Sequence, residues 1–120
     1  MDEQEFVMQP IAIVRGTTNS FVLTVKDEST GDEYELLTGE FFRFGVKLDP
    51  TDANYAIVKT VSSKNANDEY EIKLSPDDTI GIPFGTYYYD VGMQSGVDYY
   101  PIIKTSPFEL CANVTKWGAV

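Results

Sequence analysis

The chain has 120 residues, a length that favours one domain with a single hydrophobic core. Hydrophobic residues make up 42% of it and aromatic residues 13%, which excludes a disordered tail. Nineteen acidic and nine basic residues give a net charge of -10, which excludes the basic surface needed to bind nucleic acid or an anionic membrane.

The first third of the chain is predicted to contain an arm and short strands. Residues 1–10 form an N-terminal arm, and residues 11–120 form a single β-sandwich domain. Residues 11–14 are the first strand, and alternation of apolar and polar side chains over 21–26 predicts the second. A short returning strand is expected at 33–36, after a glycine-containing loop.

The middle of the chain shows the clearest period of two, which is typical of strands with one buried face. Phe42, Phe44 and Val46 alternate with polar residues or glycine and predict a third strand that faces the core. Residues 56–61 and 70–74 are predicted to be two further strands, separated by a polar hairpin loop.

A corner is predicted between the strand at 70–74 and a tyrosine-rich strand that begins near Gly85. Residues 75–78 carry turn chemistry, and beyond Gly85 the side chains of Tyr87 and Tyr89 share one face. We expect the Tyr87 hydroxyl to donate a hydrogen bond to the backbone upstream, as in the tyrosine corner of immunoglobulin-like sandwiches. The residues assigned to this structural corner are Asp78, Thr79, Gly85, Tyr87 and Tyr89.

The last strands are predicted at 99–104 and 108–114, and Pro101 and Pro107 indicate edge positions or breaks within them. The chain as a whole thus has about seven to nine short strands, with frequent turn signals and no sustained helical period. We therefore predict an all-β fold, specifically an immunoglobulin-like antiparallel β-sandwich.

Residue types that carry common catalytic chemistry are scarce. The chain has no histidine, so it lacks the base of Ser-His-Asp and Cys-His catalysis and the usual ligand of zinc. Its single cysteine, Cys111, forms no intrachain disulfide and is interpreted as a small buried or half-buried hydrophobe. We expect no enzymatic activity, no metal site and no cofactor.

The acidic loops have two interpretations. Aspartates cluster at 27–32, 49–52 and 77–78, where oxygen ligands for calcium would be available, but none of these loops has the spacing of a calcium-binding loop. Aspartate also accumulates in turns for structural reasons, and acids on solvent-facing positions keep a protein soluble.

Several apolar or aromatic side chains are candidates for an interface. One group lies in the arm, and the other consists of tyrosines and the single tryptophan near the end of the chain. The alternative is that a small all-β domain uses tyrosines to cover its sheets. The candidate interface residues are Phe6, Val7, Met8, Tyr88, Tyr99, Tyr100 and Trp117.

Four short segments carry a resemblance to a known family. They are Arg-Gly-Thr-Thr at 15–18, Phe-x-Phe-x-Val-Lys at 42–47, Ile-x-Leu-x-Pro-x-Asp-Thr at 72–79 and Gly-x-Tyr-x-Tyr-Asp-Val at 85–91. In this order they resemble small immunoglobulin-like proteins of phage and prophage structural modules. The chain is similar to the N-terminal domain of siphophage upper baseplate proteins and to short tail or head accessory proteins.

The resemblance implies a structural role in a virion, in a tail, baseplate or head, after folding in the bacterial host cytoplasm. The implied partners are other virion structural proteins or further copies of this chain, without nucleic acid or membrane. The lack of cysteine pairs fits folding in a reducing compartment. The alternative function is a carbohydrate-binding or adhesin-type sandwich that stacks sugars on exposed aromatic rings.

Overall fold

The computed structural model describes residues 10–27 and 29–112. In this part of the chain the fold is all-β, with seven strands and one five-residue helix. The elements are β1 (Ile11–Val14), β2 (Asn19–Leu23), β3 (Glu40–Lys47), β4 (Ile57–Val61), β5 (Tyr70–Leu74), α1 (Pro76–Ile80), β6 (Gly85–Ser95) and β7 (Asp98–Cys111).

The strands form two sheets. Five strands pair in the order β1-β7-β6-β3-β4, and β2 pairs with β5 in a second sheet. Four of the five strand pairs are antiparallel, and the pair of β1 with β7 is parallel. The prediction of a purely antiparallel fold was therefore wrong for this pair. The parallel pair arises because the chain crosses to the other sheet directly after β1 instead of returning in a hairpin.

One hydrophobic core lies between the sheets. Phe42, Phe44 and Val46 of β3 are almost completely buried, because alternate residues of a strand point to the same face. Phe44 lies among three other rings, with centroid distances of 6.2 Å to Phe21 and 5.4 Å to Tyr89. Positions 41, 43, 45 and 47 of β3 therefore face outward, together with their neighbours on β6 and β7.

The corner between β5 and β6 is fixed by side-chain hydrogen bonds. The Asp78 carboxylate accepts a bond from the backbone N–H of Ser75 at 2.7 Å and pairs with the Lys59 ammonium at 2.8 Å. The Tyr87 hydroxyl donates to the carbonyl of Pro83 at 2.7 Å. Gly85 opens β6 with a φ of 147°, a value that side chains disfavour, and Tyr89 points into the core.

Thr79 links this corner to the turn between β1 and β2. Its side chain is fully buried, and its hydroxyl oxygen accepts a hydrogen bond of 2.7 Å from the backbone N–H of Gly16. Arg15 strengthens the same contact by donating to the carbonyl of Ile82 at 2.7 Å. The turn that carries the chain from one sheet to the other is therefore held against the corner that follows β5, at the same end of the β2–β5 pair.

Replacing Thr79 with valine should lower the free energy of unfolding by about 1–3 kcal/mol, because it leaves the partly buried Gly16 N–H without its acceptor. The isosteric change leaves the packing almost unaltered. Thr60→Val, on the exposed face of β4, is the matched control and should change stability by less than about 0.5 kcal/mol. Urea denaturation measures both variants, and equal losses would contradict the structural role given to Thr79.

Three predicted strands are missing or merged in the structure. The expected strand at 33–36 is only one isolated bridge, between Lys26 and Glu33. The two expected strands at 99–104 and 108–114 are a single strand, β7, because two register shifts against β6 absorb the irregularity around the prolines. Residues 1–9, most of the predicted arm, and 113–120 lie outside the described residues.

Candidate functional site

The outward surface of the five-stranded sheet concentrates aromatic and charged side chains. Cross-strand pairing places Arg43 opposite Gly92, Gly45 opposite Asp90, and Lys47 opposite Tyr88. Tyr55, from the loop before β4, and Tyr99, from β7, lie over the same surface. We call this surface the tyrosine face and define it by Arg43, Lys47, Tyr55, Tyr88, Asp90 and Tyr99.

Two glycines allow the tyrosine rings to lie directly against the sheet. A Cβ atom at Gly45 would collide with the ring of Tyr55, and one at Gly92 would collide with the ring and hydroxyl of Tyr99. Glycine within a strand often marks such a close approach of another group. Because glycine has no side chain, the rings of Tyr55 and Tyr99 pack directly against the backbone of the sheet and remain partly exposed.

Two cations cover these rings. The guanidinium carbon of Arg43 lies 5.1 Å from the ring centroid of Tyr99, and the ammonium of Lys47 lies 4.7 Å from that of Tyr55. Each contact contributes about 0.5–1 kcal/mol at an exposed site. Lys47 is further held by donating to the carbonyl of Asp52 at 2.7 Å. The aromatic side chains are therefore fixed in position before any partner binds.

Asp90 lies at the centre of this surface. Burial raises the pKa of its carboxyl group, and the nearby charges of Lys47 and Arg43 offset part of that rise. A small cavity of about 70 Å³ opens beside it, between Tyr55 and Tyr88. A partly desolvated carboxylate between two cations offers an acceptor to a partner's hydrogen-bond donors.

Replacing Asp90 with asparagine should stabilise the fold, more so at pH 7 than at pH 3. The folded-state pKa of Asp90 is raised above its ordinary value of 3.8. The charged carboxylate therefore destabilises the fold, and this loss of stability develops as the pH rises from 3.8 through the folded-state pKa. The control is Asp49→Asn. Hydrogen bonds from Thr51 lower the pKa of the Asp49 carboxyl group, so this substitution should reduce stability at pH 7 instead of increasing it. Thermal unfolding at the two pH values tests this, and a uniform loss of stability in Asp90→Asn would contradict it.

The structure brings together only part of the predicted interface set. Tyr88 and Tyr99 lie on the tyrosine face, whereas Tyr100 pairs with Met93 and points to the other side of the sheet. Phe6, Val7, Met8 and Trp117 lie outside the described residues.

Sequence reasoning missed Arg43, Lys47, Tyr55 and Asp90. The available signal was the outward placement of the glycines at 45 and 92 in otherwise bulky strands, which indicates that large groups lie across them.

The described residues show no sign of two other kinds of site. Within residues 10–27 and 29–112, no three Cys, Asp or Glu side chains are grouped so that they could hold a metal ion. In the same part of the chain, the helix is far too short to cross a bilayer.

Comparison with known proteins leaves the tyrosine face as the main guide to function. No protein-family model matches the chain. No curated protein has significant sequence similarity to it.

Proposed function

We propose that the chain is a non-enzymatic assembly module of a phage or prophage virion, a tail, baseplate or head accessory protein that binds other virion proteins through its tyrosine face. The observation that carries the proposal is the exposed, pre-positioned cluster of tyrosines and Arg43 on one sheet. The resemblance of the segments at 15–18, 42–47, 72–79 and 85–91 to phage structural proteins supplies the virion context.

The topology supports the immunoglobulin-like form of the sandwich. In such folds strands C, F and G form one sheet, extended by C′, while B and E belong to the other. In this comparison β3, β6 and β7 would correspond to C, F and G, and β4 to C′. The strands β2 and β5 would correspond to B and E. The hydrogen bond from Tyr87 to Pro83 lies where the tyrosine corner occurs in these folds.

The composition of the tyrosine face supports protein binding. Tyrosine and arginine are enriched at protein interfaces and among the residues that contribute most to affinity. Rings that already pack against glycines and cations lose little conformational freedom on binding, which lowers the free-energy cost of association. The acidic net charge keeps the free subunit soluble before assembly.

The direct test of the virion assignment is proteomic. Particles released from cells that encode the chain are purified on a density gradient and analysed by mass spectrometry. We expect the chain to cosediment with the particles in a fixed ratio to the known structural proteins. Recovery only from the soluble host fraction would contradict the proposal.

Arg43→Glu should lower incorporation into particles at least tenfold, because charge reversal removes the cation over Tyr99 and places an acid beside Asp90. A tenfold loss corresponds to about 1.4 kcal/mol, within the range of important interface residues. Lys73→Glu makes the same charge reversal on the exposed surface of β5, in the other sheet, and should incorporate normally. Equal incorporation of both variants, measured by quantitative mass spectrometry, would contradict the role of the tyrosine face.

The carbohydrate-binding alternative has less support from the geometry. The cavity on the tyrosine face, about 70 Å³, is far smaller than the roughly 300–1,000 Å³ of typical small-molecule pockets. One side of the Tyr55 ring and one side of the Tyr99 ring are covered by cations, which leaves less surface for stacking on sugars. Binding to a glycan panel that is lost in Tyr88→Ala or Tyr99→Ala would favour this alternative.

A further inference from the structure

The tyrosine face contains a half-buried carboxylate whose hydrogen-bonding capacity is not used. Within residues 10–27 and 29–112, no side chain or backbone group forms a hydrogen bond or a close ion pair with the Asp90 carboxylate. A carboxylate that has lost part of its water is normally paired or hydrogen-bonded, because an uncompensated buried charge is costly. This carboxylate is therefore open to a donor that comes from outside the chain.

The two cations near Asp90 are engaged with other groups. The Lys47 ammonium lies over the ring of Tyr55 and also donates to a backbone carbonyl. The Arg43 guanidinium lies over the ring of Tyr99. Burial raises the pKa of the Asp90 carboxyl group, and these two charges offset only part of that rise. The chain's own cations therefore leave Asp90 incompletely compensated.

The space beside Asp90 suits a small cationic group. A cavity of about 70 Å³ opens there, between Tyr55 and Tyr88. A single water needs only about 10–15 Å³ of such space, so the polar end of one side chain can enter. Tyrosine rings attract cations through the negative charge of their faces. A carboxylate flanked by aromatic rings thus favours a cation over other groups.

We propose that this cavity receives the ammonium group of a lysine from the partner protein, which pairs with the Asp90 carboxylate. The lysine ammonium is a compact charge on a flexible stem, whereas the planar guanidinium of arginine needs a wider space. The net charge of -10 favours the approach of a basic partner. The proposal rests on the function proposed for the tyrosine face, because it names the group that the partner inserts there.

Other partner groups fit the site less well. An acidic side chain would bring a second carboxylate against Asp90, and like charges that share a site repel. A neutral donor would leave the charge of Asp90 uncompensated once the interface excludes water. A cation both donates hydrogen bonds to the carboxylate and neutralises it, and such charge-assisted bonds are the stronger kind.

Titration of the free chain with N-acetyl-lysine methylamide, at constant ionic strength, tests the proposal. NMR records the side-chain carboxyl carbon of Asp90 and the ring signals of Tyr55 and Tyr88. We expect saturable shifts with a dissociation constant of about 10–100 mM, which is what one charge-assisted hydrogen bond supplies. The matched probe carries an acetylated side-chain amine without charge, and it should cause no saturable shift.

Asp90→Asn is the matched variant, because asparagine keeps the shape and one acceptor oxygen but has no charge. Its Tyr55 and Tyr88 signals should not shift with the lysine probe. Equal shifts from the two probes, equal shifts in Asp90→Asn, or no shift would overturn the proposal. This outcome is separable from the virion assignment, since the titration uses the free chain and the assignment is tested by the composition of purified particles.

Incorporation into particles gives a second readout. Asp90→Asn should fall about tenfold or more below the wild type, although its fold should be more stable at pH 7, so misfolding would not explain the loss. Asp77→Asn removes the same charge from the exposed first turn of α1 and should incorporate normally. Normal incorporation of Asp90→Asn would overturn the proposal.

Discussion

Phe44→Ala is expected to be the most destabilising single substitution considered for this chain, with a loss of about 3–5 kcal/mol in the free energy of unfolding. The Phe44 side chain is 1% exposed and packs against Phe21, Tyr89 and Phe108 from both sheets. Its removal would leave a cavity where the two sheets meet, and the rigid strands on both sides limit collapse into it.

The total stability of a small domain is about 5–15 kcal/mol, so the variant should be close to unfolding in mild denaturant. Phe84→Ala is the control, since that ring is 60% exposed and its loss should cost less than about 0.5 kcal/mol. Urea denaturation monitored by circular dichroism gives both values. A loss at Phe44 no larger than that at Phe84 would show that the sheets do not share this core.

Glu40→Ala should cost about 2–4 kcal/mol, an unusually large effect for removing an acid. The Glu40 carboxylate is nearly buried at the start of β3 and accepts three hydrogen bonds, and bonds to charged groups are worth about 1.5–3 kcal/mol each before relaxation. The donors are the Tyr34 hydroxyl at 2.7 Å, the Leu37 N–H at 2.8 Å and the Ser95 hydroxyl at 2.9 Å. The control is Glu109→Ala on the exposed surface of β7, where the loss should stay below about 1 kcal/mol.

The same carboxylate should make stability depend on pH. The hydrogen bond from Tyr34 is the largest cause that lowers the pKa of Glu40 below its ordinary value of 4.5. A lowered folded-state pKa contributes stability that is complete above 4.5 and is lost as the pH falls through the folded-state value.

Glu40→Gln keeps the shape but has no carboxyl to titrate, so its stability should fall less steeply than the wild type below pH 4.5. Identical slopes for the two proteins in acid denaturation would contradict the role of the Glu40 carboxylate.

Much of the strand pattern could be predicted because it follows from a period of two. The buried set of β3 and the alternation at β5 are visible in the sequence, since each strand has one face towards the core. The corner chemistry at 75–78 was also visible, because Ser, Pro and Asp have specific turn preferences.

The rest depended on partners that are distant in sequence. Nothing local indicates that β1 lies parallel to β7, a contact across almost 100 residues, or that the prolines of β7 are absorbed by register shifts. The tyrosine face was found only in part for the same reason. Arg43, Tyr55 and Asp90 meet through cross-strand pairing and a loop, so no short motif contains them.

Site-specific photo-crosslinking in assembled particles directly tests the proposal that the tyrosine face binds another virion protein. A photoreactive phenylalanine analogue replaces Tyr99, which is 40% exposed on the tyrosine face, or Val22, which is 50% exposed on the outer surface of β2. The probe at 99 should attach a structural protein of the particle, identified by mass spectrometry, and the probe at 22 should attach none. Crosslinking at 22 but not at 99, or at neither position, would contradict it.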